Sequence, residues 1–107
     1  MANKALVLEI EEIPSKEKSK WKMIIPIELM EAIGSNKQLT AYARLYLLTV
    51  CSQANGFAMP EKRIAELTGM SHATYLRARE LLEKLGFIEI VTGEKIIVHT
   101  RKIMESN

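Results

Sequence analysis

Between Glu61 and Glu80 the chain reads EKRIAELTGMSHATYLRARE, and the spacing of Ala65, Gly69 and Tyr75 within that stretch leaves few folds open. Two short helices crossing near a right angle need a small residue where their backbones touch. They also need a residue that tolerates positive φ in the turn between them. Ala65 meets the first need and Gly69 the second. The stretch runs straight into LLEKLGFIEIVTGEKIIVHT, whose β-branched runs read as a hairpin.

The same residues set the expected boundaries. Pro60 opens a helix carrying Ile64, Ala65 and Leu67, and Thr68-Gly69-Met70 forms the turn. Ser71 is placed as the N-cap of a second helix from His72 to about Leu85, which buries Tyr75, Ala78, Leu82 and Leu85 and stops at Gly86. Ile88 to Val91 and Lys95 to Thr100 are then two strands joined by Thr92-Gly93-Glu94.

Upstream, Ala5 to Ile13 alternates as a half-buried strand does, with Leu6, Leu8 and Ile10 on one face and Val7, Glu9 and Glu11 on the other, ending at Pro14. Trp21 to Ile25 is a short β-branched or helical run, and Trp21 reads as a core or interface anchor. Pro26 suits the first turn of a helix over IELMEAI that Gly34 would stop. Thr40 is the expected N-cap of a longer helix bearing Leu39, Ala43, Tyr46, Leu47, Val50 and Ala54 at three- and four-residue steps, closed by Asn55-Gly56. Leu45 and Leu48 widen its apolar stripe, which fits either a dimer contact or packing beneath the preceding helix.

Length and charge narrow the function classes. A chain of 107 residues fits one domain and buries roughly 60 to 70% of its unfolded surface. A formal net charge of +2 supplies no strong overall field, so any nucleic-acid binding must come from local clusters. Lys and Arg do gather, at Lys16/Lys18/Lys20/Lys22, Lys62/Arg63, Arg77/Arg79 and Lys95/Arg101/Lys102. The lone Cys51 lies in an apolar helical pattern and reads as a small buried thiol in a cytoplasmic protein. No apolar run approaches a membrane span, and the acidic N-terminal stretch does not read as a signal peptide.

Chemistry is equally bounded. His72 and His99 are the only histidines and stand far from Cys51, so a zinc site lacks ligands and no cofactor is expected. No nucleophile, base and orienting group recur at a recognisable spacing, and no glycine-rich phosphate loop is present, so the chain is not expected to be an enzyme. The second helix of the pair offers an alternative. Its outward positions are His72, Ala73, Leu76, Arg77 and Glu80, with Thr74 at the margin. A helix entering the major groove reads base edges from such positions. Arg77 suits a guanine edge, His72 and Thr74 suit bases or phosphates, and Ser71 with the free N–H groups of the first turn suits a phosphate. Lys62 suits the flanking backbone, and Lys95, beside the Gly93 tip, a phosphate or the minor groove.

Met59 to Thr100, carried by IAELTGMSHATYLRARELLEKLGFIEI, resembles the winged helix-turn-helix superfamily, including MarR-type regulators. With IPIELM and LTAYARLYLL added, residues 25–91 are similar to the N-terminal domains of plasmid and phage replication initiators. Small proteins of this layout also resemble the centromere-binding adaptors of plasmid partition. The resemblance implies an α+β fold of three to four helices with an N-terminal strand and a C-terminal hairpin wing. Its divisions are an N-terminal strand and extension over 1–25, helices over 26–58, the helix-turn-helix over 59–86 and the wing over 87–101. It implies sequence-specific binding of double-stranded DNA by a homodimer, in transcription regulation or with a replication or partition protein. The alternative is a protein-interaction module, since winged helices sometimes lose DNA binding. Two positions depart from the pattern. Tyr75 stands where Val or Ile is common, so that either the pocket is larger or the phenol reaches the surface and a phosphate. Arg79 replaces a buried aliphatic residue, its guanidinium meeting DNA or a carboxylate.

Overall fold

The computed structural model describes residues 5–10, 27–53, 58–93 and 95–106. The Lys16 to Lys22 cluster, Trp21 to Pro26 and Asn55-Gly56 lie outside them. Strand β1 covers Ala5–Ile10, with Leu6 and Leu8 buried and Val7 exposed, as the alternation demands. Helix α1 runs Ile27–Ser35 and α2 runs Ala41–Gln53. A three-residue strand β2, Ala58–Pro60, leads into α3, Glu61–Thr68, and α4, His72–Leu85. Strands β3, Ile88–Val91, and β4, Lys95–Val98, are followed by α5, Thr100–Glu105. The fold is thus α+β, with five helices and one four-stranded mixed sheet among the described residues.

The sheet order is β2-β1-β4-β3. β3 and β4 pair antiparallel from Ile88↔Val98 to Val91↔Lys95, the expected hairpin, and Gly93 takes φ 74 at its turn. β1 lies parallel to β4, with Leu8 opposite Ile96, and antiparallel to β2 on its other side. Leu8, Ile96 and Ile90 therefore make one apolar row across the sheet, two of them fully buried. Helix α2 lies at the centre, touching α1, α3, α4, β1 and β4. That position buries most of its apolar stripe, though not Leu45. Ala43, Tyr46, Leu47 and Val50 are fully buried and Leu48 packs against them, while Tyr42 and Leu45 stay exposed.

Three expectations need correction. Gly34 does not stop α1, which continues to Ser35. The chain turns at Asn36, whose Oδ1 accepts from the Gln38 N–H at 2.8 Å and whose carbonyl accepts from Arg44 at 2.7 Å. β4 ends at Val98 rather than Thr100, and Thr100 begins α5. The segment 87–101 is therefore not all hairpin, because Ile103 of α5 is fully buried and α5 packs on α1. Both α5 and β2 are too short for periodicity to reveal, so the structure has more helices than the three or four expected.

Candidate nucleic-acid interface

The turn between α3 and α4 is built as its sequence requires. Gly69 is left-handed at φ 69, with its N–H donating to the Glu66 carbonyl and the Met70 N–H to that of Ala65. This paired closure satisfies the carbonyls that the end of α3 leaves open. Ala65 is buried, on a helix that packs mainly on α2. Ser71 Oγ accepts from the Thr74 N–H at 3.2 Å and donates to Thr74 Oγ1 at 3.0 Å, which makes it the N-cap of α4. Gly86 closes α4 in the same manner, and Phe87 packs behind it, buried beside Leu82.

Of the residues assigned to DNA, Ser71, His72, Arg77 and Lys62 are exposed and Thr74 is half-buried. His72, Arg77 and Lys62 make no hydrogen bond or ion pair among the described residues. Leu76, read as outward, is half-buried and packs against the core. The exposed charges of α3 and α4 are Lys62, Arg63, Arg77 and Lys84 against Glu66, Glu80 and Glu83. The surface is therefore only mildly basic, and placement rather than bulk attraction would have to supply selectivity.

Tyr75 is not open to DNA. It is fully buried, tilted against Tyr46 with ring centroids 5.4 Å apart, and its hydroxyl donates to Glu61 Oε2 at 2.6 Å. Burial, the neighbouring Tyr46 and the bond to Glu61 hold its phenol well above the ordinary tyrosine range. Arg79 is engaged within the fold rather than free for DNA. Its Nη1 donates to the same Glu61 oxygen at 2.7 Å, and its Nε stands 3.6 Å from Glu83. Partial burial lowers the pKa of this guanidinium, and the bond and charge of Glu61 more than offset that. Of the two partners left open for Arg79, the carboxylate is the one present.

Glu61 was missed as a functional residue. The signal lies in α4: Tyr75 and Arg79 are one turn apart, and a buried hydroxyl beside a half-buried guanidinium demands an acceptor. The first carboxylate of the preceding helix supplies it. Arg79, Glu61, Glu83, Leu6, Ile90, Thr92 and Gly93 line a cleft of about 260 Å³, which sets the hairpin tip beside the middle of α4. Lys95 faces Glu9 of β1 at 3.5 Å, so part of its charge is already met.

Among the described residues no three His, Cys, Asp or Glu side chains gather as a metal would need, and no helix is long and apolar enough to cross a membrane. Comparisons with protein-family models, with curated proteins and with solved structures found no match.

Proposed function

We propose that this chain is a sequence-specific double-stranded DNA-binding protein of the winged helix-turn-helix type, with α4 as the recognition helix and the β3–β4 hairpin as the wing. The observation that carries this is the division of α4 into two faces. Tyr75, Ala78 and Leu82 are buried, and Tyr75 is tied through Glu61 to α3, while Ser71, His72 and Arg77 stand at the capped, exposed N-terminal end. A rigid helix with an unpaired arginine and free N–H groups at its start is what groove reading and phosphate capture require. Lys62 meets the flanking backbone. Dimerisation on repeated or palindromic sites would bring two such helices to successive turns of the duplex. Promoter control and the origin or centromere of a plasmid or phage replicon are the roles such binding serves.

The test is an anisotropy titration of the full chain over random and genomic duplexes. A preferred sequence bound well above background at moderate salt is expected. Weak binding of every sequence, lost as salt rises, would remove the proposal. A second reading, a protein-interaction module, draws on the small net charge and on Ile27, Met30, Tyr42 and Leu45, apolar and exposed on α1 and α2. Under it, substitution of Arg77 and His72 leaves DNA retention unchanged.

A further inference from the structure

We infer that Glu80 is a second base-reading residue, and that the preferred site carries, next to the guanine met by Arg77, a base with an exocyclic amino group in the major groove. The inference rests on the DNA-reading function and deepens it. Ala73, Arg77 and Glu80 fall at i, i+4 and i+7 on α4, and all three are exposed. Helix α4 has two carboxylates. Arg79 engages Glu83 at 3.6 Å, whereas Glu80 has no hydrogen bond or ion pair among the described residues. Arg77, three residues back and within ion-pair reach along a helix, does not take it either.

An unpaired carboxylate on a helix that enters a groove lined by phosphates is repelled, unless it meets a donor there. The major groove offers few. Guanine shows N7 and O6 and thymine shows O4, all acceptors, while cytosine N4 and adenine N6 carry the amino groups. Glu80 therefore rejects guanine and thymine on the strand it faces and accepts cytosine or adenine. Three residues advance about 4.5 Å along a helix, against about 3.4 Å per base pair. The two side chains thus address neighbouring base pairs. Together the pair reads by opposite signs: Arg77 selects an acceptor edge and Glu80 a donor edge. A surface built only to hold phosphate would gain nothing from an anion at this position.

Selection of bound duplexes from a random library, followed by sequencing, tests this on the wild type, Glu80→Ala and Glu80→Gln. The wild-type motif is expected to hold cytosine or adenine beside a guanine. Glu80→Ala should flatten that one position by about five-fold or more while raising overall retention on DNA. Glu80→Gln should turn it towards adenine, which a carboxamide can meet through N6 and N7 together. A motif unchanged in both variants, or a uniform gain in binding with no position altered, would overturn the assignment of Glu80 and leave the DNA-binding function standing. A library that yields no motif for the wild type would overturn both.

Discussion

Tyr75 and Arg79 donate hydrogen bonds to one and the same oxygen, Oε2 of Glu61, at 2.6 and 2.7 Å. Two donors from α4 thus converge on the first residue of α3. Replacing Glu61 by Ala would leave the Tyr75 hydroxyl buried without a partner and Arg79 half-paired. Urea denaturation is expected to show a loss of about 2 to 3 kcal/mol. Glu61→Gln keeps an acceptor and should lose less.

Alkali should unfold the protein through the groups it buries as neutral. Burial pushes the Cys51 thiol from 9.0 up to about 12 and lifts Tyr46 and Tyr75 above the ordinary 10.0. Between each ordinary value and the raised one, the unfolded chain has lost a proton that the folded chain keeps. Stability therefore falls as pH rises, by about 1.4 kcal/mol per pH unit for each such group once pH passes its ordinary value, and these groups add almost no slope below about pH 8. Tyr75→Phe should flatten the decline above pH 10 by one group's share, as followed by circular dichroism at fixed urea.

Under the proposed DNA-reading function, Arg77→Ala is expected to cost about 1 to 3 kcal/mol on the preferred duplex and much less on duplexes altered at the guanine it would meet. Competition titrations over single-base variants read the difference. A uniform loss on every sequence would make Arg77 a phosphate contact.

Lys62 and Lys95 should differ in their salt dependence. A lysine that meets a phosphate contributes about one unit to the slope of log affinity against log salt. Lys62 is exposed and unpaired among the described residues, so Lys62→Ala should remove about that much. Lys95 already faces Glu9, and Lys95→Ala should change the slope by less.

Gly69→Ala should cost about 1 to 2 kcal/mol, from the left-handed backbone alone, because no atom lies within 4 Å of where a Cβ would stand. Thermal midpoints compared with an exposed-site control such as Lys84→Ala measure it. A much larger loss would point to a contact with the turn.

The helix pair was legible because its signals are local: a capping Ser71, two left-handed glycines and a three- and four-residue apolar rhythm. The hairpin was legible for the same reason, although its second strand ends at Val98. What the sequence could not announce is the company these elements keep. Nothing in Ala5–Ile10 says that it pairs parallel with residues 95–98, since alternation reports which face is buried and not which neighbour is bonded. Tyr75 and Arg79 stand out in the sequence but could lie in the core or at the surface, because their shared acceptor lies on another helix. At the candidate site, the exposure of His72 and Arg77 followed from helical phase, whereas the engagement of Lys95 by Glu9 depended on that unforeseen strand pairing.

The place of β1 in the sheet has a consequence for how the protein comes into being. Residues 5–10 are bonded on one side to residues 58–60 and on the other to residues 95–98, which a ribosome makes long afterwards. Until β4 emerges, Leu8 lacks its neighbour Ile96, and one strand edge is open to other nascent chains. The sheet closes only once residues 95–98 have been synthesised. Assembly of this sheet should therefore be an all-or-none event, and a product stalled before β4 should be cleared or aggregate rather than persist as a partly working protein.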